Sequence, residues 1–313
     1  MPGRAETTPT AGTGYRGTNA SWEDFPISDT RNAAFEFVRA LSSELASGDL
    51  ELPAFPDVAI RVRNALEDPN VAADQVARLV AAEPVLAARL IKIANSALLS
   101  GRSGDGVKDI RTAVTRLGFS MVRNTAITLA MSQTMGGQSN AELKTRLGEL
   151  WQHSIRVGAI AYVIARTNRR LSADEAMLAG LLHDIGKIYI LQRAERHPEL
   201  FAAGEAFEHI VGDWHTGVGS AILLGWKFSP EMVAVAEEHE QLERITRADA
   251  DLVDVVLVAN LLANDDQEGE GISEWAALPA VQRLQLADNS AAAILADSRD
   301  RLESIINALQ GAG

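Results

Sequence analysis

From Asn32 onward, apolar side chains return every three or four positions in segment after segment, and no stretch shows a convincing alternation of apolar and polar residues. A period near 3.6 lines them along one face of a helix, whereas a half-buried strand needs a period of two. The expected fold class is therefore all-α. Alanine and leucine are abundant and aromatics make up only 5% of the chain, which points the same way. The 313 residues suffice for one large core or two modest ones.

Punctuation divides the pattern. Residues 1–30 are polar and rich in Gly, Thr and Pro, and they read as a disordered leader without the apolar stretch of a signal peptide. A helix is expected from about Asn32 to Ala46. Leu52-Pro53-Ala54-Phe55-Pro56 then reads as extended, with Pro56 starting a helix that ends near Asp68-Pro69. Further helices are expected over Ala73–Ala82 and from Pro84 to about Leu98. Residues Gly101–Gly106 read as a flexible loop, and Gly136-Gly137-Gln138-Ser139-Asn140 as a linker. A short helix, Ile110–Leu117, should stop at Gly118, and a longer one run to Met135.

In the second half, helices are expected over Glu142–Thr167, from a Ser172 cap through Leu178, Leu181, Leu182 and Ile185, over Glu205–Leu224, from Ser229-Pro230-Glu231 to about Glu240, over Asp251–Asn264, and over about Ser290–Leu309.

Charge and composition exclude several classes of function. The net charge is −13, and from Glu240 onward fourteen acidic residues face five basic ones. With no concentrated basic stripe, nucleic acid is not an expected partner. No run approaches the roughly 20 apolar residues of a membrane span, so no membrane partner is expected and cytoplasmic residence is the default. The absence of cysteine removes disulfides and thiolate metal ligands.

All six histidines, His153, His183, His197, His209, His215 and His239, fall between positions 153 and 239. The sharpest signal is Gly180-Leu181-Leu182-His183-Asp184-Ile185-Gly186-Lys187. On a helix, His183 and Asp184 point about 100° apart and both can lean toward one ion. Lys187 follows on the same side and can hold an anion beside it. Gly186 costs about 1 kcal/mol in a helix, so its presence suggests a close backbone approach. With His153 from the preceding helix, the set offers nitrogen and oxygen donors suited to iron, manganese or zinc, and a metal-bound water is a nucleophile toward phosphoesters. The plainer reading has Asp184 capping a helix and His183 bonded in the core. His197 and His209 have no partner pattern and read as solvated. His215 and His239 are possible cleft residues, with a surface role expected for His239.

These residues carry a resemblance. Glu142–Asn264 resembles the HD superfamily of metal-dependent phosphohydrolases, whose ligands follow the order His, His-Asp, Asp. By position this implies His153, His183 and Asp184 as the first three, with Asn260 standing where catalytic members have an aspartate. Leu52-Pro53-Ala54-Phe55-Pro56, Glu83-Pro84-Val85-Leu86-Ala87, Ala94-Asn95-Ser96-Ala97, Ala113-Val114 and Leu117-Gly118 together resemble the HDOD family, with Glu83 in place of its usual aspartate. That resemblance implies a composite domain: an N-terminal helical subdomain (31–138) packed on an HD-like bundle with a C-terminal helix (139–313). It also implies bacterial signal transduction, signalling proteins as partners, a nucleotide-type ligand, and a divalent metal at His153, His183, Asp184 and Asn260. Asp184 and Lys187 are the candidates for any catalytic role. The paired histidine and Gly-Tyr-Pro segment of cyclic-di-GMP phosphodiesterases are missing, since Glu238-His239-Glu240 stands in their place. A regulatory, non-catalytic module is therefore the expected function, and a phosphohydrolase acting on a nucleotide or cyclic dinucleotide the alternative.

Overall fold

The computed structural model describes residues 28–48, 50, 57–66, 68, 70–95, 106–135, 141–245, 249–265, 275–286, 294–296 and 298–310. Among these every regular element is a helix. Most of the expected leader, the extended Leu52–Pro56 segment, nearly all of the Gly101–Gly106 loop and the Gly136–Asn140 linker lie outside the described residues.

The first half supplies α1 (Ser28–Ser47), α2 (Asp57–Leu66), α3 (Ala73–Ala81), α4 (Pro84–Ala94) and α5 (Ile110–Met135). Pro84 opens α4 at its first turn, where a missing N–H is harmless. The Asn95 side chain then clamps Val107, donating to its carbonyl at 2.8 Å and accepting from its N–H at 2.6 Å. Within α5 the backbone leaves helical geometry at Gly118, with φ 76° and ψ 164°. Glycine tolerates that conformation and side-chain-bearing residues rarely do. The expected stop at Gly118 is thus a kink between two helical stretches.

Val62, Val76, Val80, Leu86 and Leu90 of α2–α4 pack on Val114, Val122 and Leu129 along one side of α5. Met121, Ile127 and Met131, elsewhere on α5, belong to the larger core.

That larger core is built by α6 (Ala141–Ala165), α7 (Ala173–Leu182), α8 (Ile185–Ala194), α9 (Pro198–Phe201), α10 (Glu205–Gly225), α11 (Pro230–Glu238), α12 (Leu252–Ala263) and α13 (Pro279–Arg283). Ser172 caps α7 by accepting from the Glu175 N–H, and Ser229 caps α11 by accepting from the Met232 N–H. The final helix, α14, covers Arg299–Gln310. Of the expected Ser290–Leu309 helix, residues 290–293 and 297 lie outside the described residues, residues 294–296 are helical, and the chain turns at Ser298 before α14.

Helix α1 packs its Ala34, Phe37 and Leu41 into the larger core. Arg193 of α8 pairs with Glu44 of α1. Among the described residues no helix is long and apolar enough to cross a membrane.

Candidate metal centre

Glycine lets the helices of the larger core approach closely enough for their polar side chains to meet. At the α6–α7 crossing, a Cβ built on Gly180 would stand 2.7 Å from the Gly158 Cα. At the α8–α10 crossing, a Cβ on Gly186 would stand 1.9 Å from the His215 carbonyl oxygen. Both are bare backbone-to-backbone contacts, which explains the glycine at position 186.

The helix expected to run from Ser172 through Ile185 is broken. His183 ends α7 with helical angles, while Asp184 (φ −101°, ψ 21°) turns the chain and α8 begins at Ile185. Asp184 occupies the N-cap of α8, yet its side chain caps nothing. Its carboxylate points instead into a cluster of imidazoles, and it is only 1% exposed. His183, His215 and His239 are equally buried. The surface role expected for His239 is therefore wrong. It is the C-cap residue of α11, which turns its ring inward.

Each buried imidazole is oriented by its own helix. His183 Nδ1 donates to the Gly180 carbonyl at 2.7 Å, and His215 Nδ1 to that of Gly212 at 2.6 Å. His239 Nδ1 lies 3.1 and 3.2 Å from the Val235 and Ala236 carbonyls. A carbonyl only accepts, so Nδ1 carries the proton and Nε2 of the neutral ring is a bare acceptor. All three Nε2 atoms are buried without a hydrogen-bond partner.

What they face is also an acceptor. His183 Nε2 lies 3.3 Å from Asp184 Oδ2, and His239 and His215 Nε2 lie 3.4 and 3.7 Å from Asp184 Oδ1. His215 Nε2 is 3.3 Å from Glu240 Oε1. Buried acceptors turned toward one another are unfavourable unless positive charge lies among them. The donor set therefore fits a divalent cation.

Two groups of ligand atoms, each lying within 4.8 Å of one another, meet this need: Asp184 with His215, His239 and Glu240, and Asp184 with His153 and His183. The Asp184 carboxylate is common to both.

The expected positions divide across the centre. His153, His183, Asp184 and Asn260 do converge, but the amide of Asn260 is occupied: its Oδ1 lies 2.9 Å from His153 Nε2 and accepts from Asn264 Nδ2 at 3.3 Å. Lys187 Nζ lies 3.0 Å from Asp184 Oδ1 and 3.2 Å from Glu240 Oε1. His197 sits at the edge of the Phe37 ring, 5.7 Å between centroids, and His209 is exposed. Both lie outside the cluster.

Glu240 is not among the residues expected from the sequence, where its place after His239 signals only the loss of a paired histidine.

Electrostatics follow from this packing. Burial pushes the Asp184 carboxyl up, but the polar groups packed on it, the Lys187 ammonium among them, hold it well below the usual carboxylate range. Glu240 is likewise raised by burial and brought down to about 2, with the Lys187 ammonium 3.2 Å away. Burial, reinforced by His183, lowers His153 to about 4. Burial tends to lower Lys187, but Asp184 and Glu240 raise it above its ordinary value. The site thus keeps its carboxylates charged and His153 neutral, as metal ligation requires.

An ion network fixes the outer helices. Arg244 pairs with Glu238 at the end of α11 and with Asp251 at 2.7 Å. Arg283 of α13 binds Asp254 through two nitrogens, at 2.6 and 2.8 Å. Asp251 and Asp254 form a reciprocal capping box at the start of α12. Between α6, α8 and α10 a cavity of about 390 Å³ runs beside the centre, walled by Leu150, Leu191 and Val211 and carrying Arg146, Glu149, Lys187 and Glu208.

Comparison with known proteins places this geometry. Residues 52–242 match the HDOD domain, a span that includes His153, His183, Asp184, His215, His239 and Glu240 and stops short of Asn260. A candidate metal-dependent phosphohydrolase of Shewanella amazonensis SB2B is similar in structure, with a TM-score of 0.72 and 29% identity over 89% of this chain and 99% of its own. An HDOD domain protein of unknown function from Geobacter sulfurreducens has a TM-score of 0.64 and 27% identity, covering 88% and 98%. An uncharacterised protein of Treponema pallidum (strain Nichols) is 23% identical over 71% of this chain, which spans 44% of that relative's length.

Proposed function

The chain belongs to the HDOD family, and on that premise we propose that it is a signal-transduction module whose HD-type centre binds a divalent ion and acts by ligand sensing and protein association, without turnover. Iron, manganese and zinc are the ions that suit its nitrogen and oxygen donors.

One observation carries the reading. Asn260 supplies a neutral amide, already bonded to His153, at the position where the resemblance implies an aspartate. A neutral carbonyl is a weaker ligand than a carboxylate for a hard cation. The rest of the donor set is intact, so binding survives while the charge balance of a hydrolytic centre is lost.

Asp184, His215, His239 and Glu240 would hold the ion, with His183 packed against Asp184 on the other side, and the ion when bound would supply a Lewis-acidic positive charge. The remaining roles belong to the chain. Lys187 holds an anionic ligand group against the centre, Leu150, Leu191 and Val211 give the cavity its apolar wall, and Arg146 sits at the cavity wall with its guanidinium 5.8 Å from the Phe201 and Phe207 ring centres. Signalling proteins are the partners of this reading, and a small phosphate-bearing ligand of nucleotide type is the signal.

The test is metal analysis of protein purified without chelator, followed by a screen of phosphodiesters and nucleotides with added manganese, iron or zinc. Bound metal with no turnover is expected. Multiple turnover that disappears in an Asp184→Ala variant would overturn the non-catalytic part. It would establish the second reading, a metal-dependent phosphohydrolase, which the position of Lys187 at the join of centre and cavity supports. Protein that binds no metal under any condition would overturn both.

A further inference from the structure

The two ligand groups around Asp184 are not equivalent. On the α10–α11 side stand Asp184, His215, His239 and Glu240, two imidazoles and two carboxylates, against which the Lys187 ammonium sets one positive charge. On the α6–α12 side stand His153, His183 and Asp184, with the neutral Asn260. That side has one carboxylate, shared, and so leaves a divalent ion with an uncompensated positive charge in a buried place.

The geometry separates them further. His153 Nε2 faces the Asn260 amide oxygen at 2.9 Å, an acceptor, so Nε2 carries the ring proton and has no lone pair to give. His215 and His239 have their Nδ1 atoms committed to backbone carbonyls, and their Nε2 atoms are unpartnered and buried. Asp184 Oδ1, the oxygen nearer those two rings, also lacks an aligned donor. The Lys187 ammonium rests on both Asp184 and Glu240, which marks this side as the place where positive charge is stabilised.

We infer that the first divalent ion taken up by this chain is held by Asp184, His215, His239 and Glu240, on the side away from Asn260, and that the His153–His183 side fills only at much higher concentration. The inference rests on the metal-binding reading above and adds where the ion sits, how many bind, and that Glu240 is a ligand. Asn260 thereby has a defined consequence: it turns a centre with room for two ions into one that holds a single ion tightly.

The experiment titrates metal-stripped full-length protein with manganese(II) alone, following heat of binding and the manganese electron paramagnetic resonance signal. Circular dichroism checks the fold of each variant. One tight ion per chain is expected for the native sequence. Glu240→Gln should weaken that ion at least tenfold, and His153→Gln should leave it within about threefold. Asn260→Asp should create a second tight site and, with it, the spectral signature of two coupled manganese ions. Should Glu240→Gln fail to fold, the gain in Asn260→Asp still reads the inference.

Loss of the ion in His153→Gln with retention in Glu240→Gln would overturn the inference and leave metal binding standing. Two equally tight ions in the native protein would do the same. No binding by any variant would overturn the functional reading itself.

Discussion

His153 differs from the three buried imidazoles around it because its Nε2 is spent on Asn260, a bond that by itself raises its pKa, and its pH signature comes from burial instead. Burial and the neighbouring His183 hold its pKa near 4, below the ordinary histidine value of 6.5. His183 is lowered in the same direction by burial. Between about pH 6.5 and pH 4 the unfolded chain therefore binds protons that the folded chain refuses. Stability is complete above the upper limit and drains away as pH falls toward the lower one. A shift of this size corresponds to about 3 kcal/mol at most, a large part of the roughly 5–15 kcal/mol that holds a typical domain. Urea denaturation of metal-stripped protein at pH 7.5 and pH 5 should show this loss, and His153→Gln should shrink it. An unchanged pH dependence in that variant would mean that the titration belongs elsewhere.

At the scale of the element, two glycine contacts hold the centre together. Gly186 and Gly217 make a controlled pair. A Cβ at Gly186 meets the His215 carbonyl, while one at Gly217 meets nothing within 4 Å. Gly186→Ala must push α8 and α10 apart. It is expected to cost about 1–3 kcal/mol or more by overpacking and to lower metal affinity at least tenfold, since His215 moves with the backbone it rides on. Gly217→Ala, a helical position with open space, should be neutral or gain up to about 1 kcal/mol. Thermal melts with and without manganese check both, and equal behaviour of the two variants would remove the crossing from the account of the site.

Much of this element level was legible beforehand. The 3.6-residue period located most of the helices but not α8, α9 or α13, Ser172 and Ser229 announced their caps, and Gly118 announced a break where the structure has a kink. The break at Asp184 was not legible, because Ile185 and Ile188 continue the apolar rhythm across it. Glu240 escaped for a related reason: its neighbours in space, His215 and Lys187, are 25 and 53 residues away in the chain. A carboxylate next to a histidine gives no sign of which helices will fold over it. The ion network of Arg244 and Arg283 is equally non-local, and surface-like charges gave no warning that Asp254 would be fully buried.

For the whole molecule, the question is how the two cores are joined, and α14 is one answer. It buries Ile305 and Leu309 in the larger core. The Gln310 side chain bonds that of Gln152, the neighbour of His153 on α6. From the other side Arg89 of α4 donates to the Leu309 carbonyl at 3.3 Å. Residues beyond the HDOD match thus touch both the helix that carries a centre residue and a helix of the N-terminal bundle. If α14 is a tie between cores and not merely a cover for one, loosening it must be felt on both sides. Leu309→Ala should cost about 2–5 kcal/mol as a large-to-small core change. It should also raise amide hydrogen exchange in α4 together with α6, helices on the two sides that it touches. Exchange measured by mass spectrometry separates the cases, because a cover lost from α6 alone leaves α4 as protected as before. Joint loss of protection would give the module a physical path from the metal centre to its N-terminal bundle, through residues that a local event at His153 is placed to move.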